Sequence, residues 1–544
     1  LAFSWPGFAM VIAGLGVIGV VAAGFSIDPK RAASGVYREG FARIGPEAKI
    51  LFHADGKTAT VTVVESGGLR TLRTNGKTDA SMTLDGTAMT RGDEPTQALL
   101  GALPVAAHPK AKRAAVIGIG SGITSTALLA APSLERLDTI EIEPRMVDGA
   151  KFFSERNAAL FSDPRSHFVV DDAKSWLARA TEPYDIIVSE PSNPWVSGVA
   201  SLFTIETYER IAKHLARGGV LVQWIQMYEI DEALLSSIFR AMVAHFPHYV
   251  VHVVGTTDLI VVASKEQRPR VEASTLFNLP GMAKLLRQSG FASPAAIDAT
   301  WRGDNTTVDV LMSAFDAPVN SDYRPYVDVH AARARFVRAS VDRLFGAPVA
   351  PSMLDLLGGQ RAPGDGDDVL AVALGEALVA APEGSVALPD AHKAYADALR
   401  ASRELLRTCK PGGLPAVLLE GAIGTAMVIN DQRDLGRAQN VWAVVRKGDC
   451  YRSLPPELKD WVNLFAAVAS RDAPAMADLG SRLVASAPHE FARDYALNAA
   501  VVGEIAQGRA EFGGRLLELH AGDRDSVWLT TLRQATSKRT IARR

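Results

Sequence analysis

The stretch Ala114-Ala115-Val116-Ile117-Gly118-Ile119-Gly120-Ser121-Gly122-Ile123-Thr124 decides how this chain is read. An apolar run over 114–118 enters a turn built on three glycines. Glycine lets a backbone turn sharply and lets a ligand approach it with no Cβ in the way. Glu141 ends the next β-rich run, 19 residues after Gly122. An acid at that place can accept both hydroxyls of a ribose. A tight structural turn followed by a surface acid would leave the same letters. The order strand, glycines, helix, strand, acid favours a nucleoside, with Gly118, Gly120, Ser121, Gly122 and Glu141 as its binding residues.

Working outward, residues 137–142, 167–170, 184–189 and 220–224 are further short β-rich runs, separated by helical stretches such as 205–216. Strands alternating with helices imply a parallel sheet covered on both faces. Residues 250–254 and 259–263 then flank Gly255-Thr256-Thr257-Asp258, the signal of a hairpin. A parallel sheet ending in an antiparallel hairpin is the pattern of a Rossmann-like, class I methyltransferase fold. Asp172, with Ala173 after it, follows the third strand and could accept a hydrogen bond from an adenine amino group. Asp171 competes for that role, and either acid could instead cap the helix that begins near Lys174.

A second site follows the fourth strand: Ser189-Glu190-Pro191-Ser192-Asn193-Pro194-Trp195, continuing through residues 197–204. Two prolines and a tryptophan make a stiff wall. Open α/β sheets bind ligands at the carboxyl ends of their strands, so Glu190 would face the reactive end of a bound nucleoside. The plainer reading is a connection whose acid pairs with a surface cation.

The remaining chain is organised around this core. Lys+Arg is 58 and Asp+Glu is 60, so no basic excess points to nucleic acid. A hydrophobic fraction of 48% suits globular domains. Cys409 and Cys450 are too few for a disulfide scaffold. No metal-ligand pattern stands out. The chain starts at Leu1, which suggests an origin inside a longer product, or processing. No charged residue occurs from Leu1 to Ile27, and the apolar run 8–25 would make a helix about 27 Å long, close to the ~30 Å bilayer core. Residues 1–27 are therefore expected to be a transmembrane helix, with Gly19 and Ala23 spaced for packing against further membrane helices outside this fragment. Lys30, Arg31, Arg38 and Arg43 follow, which puts the next domain on the cytoplasmic side. Residues 28–47 read as a linker, 48–110 as a small β unit with a lead-in helix, 111–265 as the Rossmann-like catalytic domain and 266–340 as its extension. Residues 341–544 are Ala/Leu-rich and helical, an all-α region that could be a tetratricopeptide-like array.

Together the glycine turn, Ile140-Glu141-Ile142-Glu143, Asp172-Ala173, residues 190–203 and Gly218-Gly219-Val220-Leu221-Val222-Gln223 resemble the spermidine synthase family of polyamine aminopropyltransferases. The resemblance covers residues 48–265 and, more loosely, runs to 336. The Ser-Glu-Pro-Ser-Asn-Pro-Trp run resembles the bacterial branch fused behind membrane helices. It implies an S-adenosyl donor, decarboxylated S-adenosylmethionine in true synthases, with Glu141 on its ribose, Asp172 on its adenine and Glu190 activating the amine. Gln223, Gln226 and Tyr228 would line the acceptor side.

The departures bear on the acceptor. Where family members carry an acid in the glycine turn, this chain has Ser121. Where they carry two acids after the fourth strand, it has Glu190 and then Asn193. Thr96-Gln97-Ala98 stands in place of a Tyr-His-Glu run, and Asp79 in place of a glutamine of the β unit. Asp79 and Gln97 are the further substrate-binding candidates. The leading expectation is transfer of an aminopropyl group to an amine, as in polyamine biosynthesis, with Glu190 accepting the proton of the attacking ammonium. A methyltransferase using intact S-adenosylmethionine and a non-catalytic nucleoside- or polyamine-sensing domain are the alternatives. A homodimer is an open expectation.

Overall fold

A computed structural model describes residues 28–84, 92–345, 352–357 and most of 451–541, with scattered positions in 10–19 and 423–446. Among the described residues no helix is long and apolar enough to cross a membrane. The expected span over residues 1–27 lies mostly outside the described residues, as do Cys409 and Cys450.

An antiparallel four-stranded sheet comes first: β1 (Lys49–Asp55), β2 (Thr60–Ser66), β3 (Leu69–Thr74) and β4 (Lys77–Thr83), each paired with the next. Val61, Val63, Leu72, Ala80 and Met82 face inward. They pack on Ile119 and Phe153 of the following domain. Helix α1 (Glu94–Ala107) leads into that domain and is buried along nearly its whole length.

The second sheet has eight strands: β5 (Arg113–Ile117), β6 (Arg136–Glu141), β7 (Ser166–Val170), β8 (Tyr184–Ser189), β9 (Leu215–Gln226), β10 (His248–Val254), β11 (Asp258–Ser264) and β12 (Trp301–Asp304). Their order is β12-β10-β11-β9-β8-β5-β6-β7. Strands β7, β6, β5, β8 and β9 run parallel, and β11 lies antiparallel between β9 and β10. This is the class I methyltransferase arrangement. Helices α2 (Ile123–Leu129), α3 (Pro144–Ala150), α4 (Ser154–Ser162), α5 (Ala173–Arg179), α6 (Ile205–His214) and α7 (Glu232–Val243) connect the strands. The central strands are apolar because both faces are covered. Every residue of β11 is buried.

The chain moves outward from β5 through β6 and β7 on one side, then through β8 and β9 on the other. Neighbouring strand ends diverge at such a reversal and leave a crevice, which here opens at the carboxyl ends of β5 and β8.

Three local readings need correction. The helix expected over 205–216 stops at His214, because Leu215 already pairs with Tyr184 and Gly218 turns at φ +75°. Strand β12, with little strand character in its sequence, adds to the edge of β10. Residues 28–47 are more than a linker: they carry the short helices Pro29–Ala32 and Val36–Glu39. Gly35 and Gly76, both left-handed, let this strap press on the β3–β4 turn. A Cβ at Gly76 would come within 2.3 Å of the Gly35 nitrogen.

Beyond α8 (Asn305–Ser313) and α9 (Tyr326–Phe336), the described tail consists of α10 (Pro456–Ser470), α11 (Ala473–Ser486), α12 (Glu490–Ala506), α13 (Ala510–Ala521) and α14 (Val527–Ile541). Gly480 and Gly503 bring α11 and α12 into backbone contact.

Candidate active site

Strand β5 delivers the glycine turn to the crevice. Gly118, Gly120 and Gly122 have φ of +94°, +49° and +81°, a region that L side chains rarely adopt. A Cβ on Gly118 would also sit 2.5 Å from the Glu190 carbonyl oxygen, so the turns after β5 and β8 touch through bare backbone. Asn157 on α4 fixes the turn by donating to the Ser121 carbonyl at 2.6 Å.

Glu141 at the end of β6 is buried against this turn. Its carboxylate accepts from the backbone N–H of Ile119 at 3.1 Å and of Glu143 at 2.9 Å. Each oxygen keeps a lone pair for a further donor, such as a ribose hydroxyl. Burial lifts this carboxyl to about 7, although the backbone bonds favour its charged form. Asp172 caps α5 by accepting from the Ser175 N–H at 2.8 Å, while Asp171 pairs with Arg179. The capping reading of Asp172 is therefore realised, and Ala173 is buried behind it.

Strand β8 ends at Ser189, and Glu190 follows on the floor of the crevice. Its Oε2 accepts from the Thr124 hydroxyl at 2.7 Å. Burial lifts it to about 7, and the nearby carboxylates of Asp93 and Asp258 push the same way; bonds from Thr124 and Gln97 oppose them. Asp93, at the start of α1, is raised to about 6 by burial and then by Asp258. Asp258 opens β11 and accepts from Trp224 at 2.8 Å, Thr257 at 2.7 Å and Thr96 at 3.1 Å. Burial raises it too. Three carboxyls thus share a desolvated corner beside the glycine turn, an environment that attracts a cation.

The other expected residues fall into two groups. Gln97 accepts from the Ser121 hydroxyl at 2.5 Å, at the foot of the turn. Gln226 is fully buried with neither amide atom partnered among the described residues, and it pairs across the sheet with Asp258. Asn193 is fully buried beside Tyr228, whose hydroxyl burial holds well above its usual range. Gln223, in contrast, is committed to the sheet through Ser189, Trp224 and Tyr208. Asp79 is also committed: Lys77 reaches it at 2.5 Å and Ser192 at 2.7 Å, and Thr74 donates to it.

Several members of the site went unread in the sequence. Asp258 was absorbed into the turn of a hairpin, and Asp93 stood in no motif. Lys77 had no motif. The strap contributes Tyr37 and Arg38 at the crevice mouth: Arg38 pairs with Glu229 at 3.2 Å and covers the Tyr228 ring, while Tyr37 meets the Trp195 ring edge-on. Trp195 donates to Glu229 at 3.0 Å, and the Arg335 guanidinium lies 4.5 Å from its ring centre.

Residues 94–272 match the family described as spermine/spermidine synthase domain. Putrescine N-methyltransferase 2 of Nicotiana attenuata is 30% identical over 221 residues, 38% of this chain and 57% of that protein. A polyamine aminopropyltransferase of Agathobacter rectalis is 31% identical over 147 residues, 27% of this chain and 51% of that protein. The chain thus spans little more than half the length of these relatives. The solved spermidine synthase from Thermotoga maritima aligns at 20% identity with a TM-score of 0.34, over 40% of this chain and 73% of that one.

Proposed function

We propose that this chain, whose residues 94–272 match the family described as spermine/spermidine synthase domain, transfers a carbon group from an S-adenosyl donor to the nitrogen of an amine, in the first reading an aminopropyl group from decarboxylated S-adenosylmethionine. The observation that carries this is Glu190, a carboxyl held near 7 beside Asp93 and Asp258, next to a glycine turn fitted for a nucleoside.

The donor's sulfonium activates the adjacent carbon, which the chain need only aim. Gly118–Gly122 and Glu141 hold the nucleoside; both fit, since the turn is bare backbone and Glu141 keeps acceptor capacity toward it. The amine arrives as an ammonium, drawn by the three carboxyls. Glu190 takes its proton, and the freed lone pair attacks the carbon beside sulfur. The carbon–sulfur bond breaks with its electrons going to sulfur, and 5′-methylthioadenosine leaves. A base whose pKa lies near neutrality suits this task.

Methyl transfer from intact S-adenosylmethionine is the second reading. Ser121, tied to Gln97, supplies no carboxylate for the amino group of the decarboxylated donor, and this observation favours it. Membrane attachment through residues 1–27 is part of the proposal, supported by the uncharged 27-residue start.

The test is to incubate the full chain in detergent with each donor and a panel of amines, and to read the nucleoside product by mass spectrometry. Methylthioadenosine supports aminopropyl transfer, S-adenosylhomocysteine supports methyl transfer, and neither product leaves only a sensing domain.

A further inference from the structure

The crevice treats positive charge differently at its two ends. Beside the glycine turn, Glu190, Asp93 and Asp258 make no ion pair among the described residues, although Lys77 lies near enough to act on Asp93, and Gln226 is buried there with its amide unsatisfied. Farther along the Glu190–Trp195 loop the carboxylates are already occupied. Asp79 holds Lys77, whose side chain is 4% exposed and whose ammonium also donates to Ser192 at 3.0 Å and faces the Trp195 ring at 6.0 Å. Glu229 holds Arg38. Arg335 stacks on Trp195 and Tyr37. Buried charge of this kind persists only when paired. Lys77 and Asp79 are such a pair, and Ser192 ties them into the loop that carries Glu190.

We infer that Lys77 occupies the carboxylate that the far ammonium of a diamine would require, so that the acceptor is an amine with a single cationic end and a neutral or anionic remainder. The inference rests on the amine-transfer reading above and narrows its substrate. An ammonium entering beside Glu190 meets three carboxyls. A second ammonium on the same molecule, about four carbons farther along the loop, would meet Lys77 and Arg335, where Asp79 and Glu229 are already paired. Like charges brought together in a desolvated site repel strongly. A carboxylate or a bare alkyl tail meets no such penalty there. Lys77 is thereby a specificity-determining residue, acting on the end of the substrate that does not react.

The full chain in detergent is assayed with the productive donor against n-butylamine, 4-aminobutanoate and 1,4-diaminobutane. The wild type should use one of the first two with a kcat/KM about tenfold or more above the diamine, the order of a like-charge penalty. Lys77→Met frees Asp79 and should reverse that order, mainly through the KM of the diamine. Lys77→Gln removes the charge but keeps a donor toward Asp79 and Ser192, and should shift the order the same way if the methionine variant folds poorly. Independently of turnover, 1,4-diaminobutane should raise the melting temperature of the Lys77 variants and leave the wild type unmoved, which a purely structural lysine would not produce. A wild type that prefers the diamine, or variants that keep the wild-type order, overturns the inference and leaves amine transfer standing. No turnover of any amine with either donor overturns both.

Discussion

Glu190 and Glu141 are carboxyls whose folded environment favours the proton, and this has opposite consequences for stability and for turnover. Each is raised from about 4.5 to about 7. The folded chain keeps a proton that the unfolded chain releases above about pH 4.5, so each group lowers stability as pH rises from there toward 7, and the loss is complete above it. Turnover requires Glu190 ionised and should rise with pH through the same range. Glu190→Gln should therefore lose turnover by ~10²–10⁴-fold, the usual contribution of a general base. The same variant should gain about 1–3 kcal/mol of stability at pH 8 relative to wild type. Chemical denaturation at pH 5 and pH 8 together with a pH–rate profile would check both. A variant that stays fully active locates the base elsewhere. Glu141 and Glu190 were legible because each follows a β-rich run. The pairing of Asp79 was not, since it is made with Lys77 and with Ser192, which is 113 residues away in sequence.

At the scale of elements, α1 carries more of the site than its sequence suggests. It was read as a lead-in helix, yet Asp93 at its N-cap position and Thr96 and Gln97 in its first turn serve the crevice. Its position is set by Gly101, where a Cβ would come within 2.4 Å of the Thr124 carbonyl oxygen and 2.6 Å of the Ala127 Cβ. Gly101→Ala should force α1 away from α2. Overpacking of this kind costs about 1–3 kcal/mol, and the shift would pull Gln97 from Ser121 and from Thr124. Thermal melting should show the loss, and donor affinity should fall with it; an unchanged affinity would mean that α1 does not position the turn. The parallel strands could be read because both faces are covered and their apolar runs are continuous. The strap over residues 28–47 could not, because its hold comes from two left-handed glycines, Gly35 and Gly76, meeting across the β3–β4 turn. Helical or strand periodicity carries no trace of such a contact.

For the whole molecule, the strap joins the apolar N-terminal stretch directly to the crevice mouth, through Tyr37 and Arg38. If residues 1–27 insert in a bilayer, the mouth lies close to its surface. The full chain should then partition into detergent, while a chain beginning at residue 28 should stay in the aqueous phase; a full chain that stays aqueous contradicts membrane attachment. The helical tail has its own core around Trp461, Phe465 and Tyr495, and α8 meets it through Val310. The claim on which all the chemistry depends is that the glycine turn and Glu141 hold an adenosyl nucleoside. Titration calorimetry of the full chain with 5′-methylthioadenosine tests it most directly. The wild type should bind, and Glu141→Ala should lose about 1.5–3 kcal/mol, the value of a hydrogen bond to a charged group, while Glu190→Gln should bind nearly as well as the wild type. Equal affinity in wild type and Glu141→Ala, or no binding of any adenosyl compound, would contradict the account.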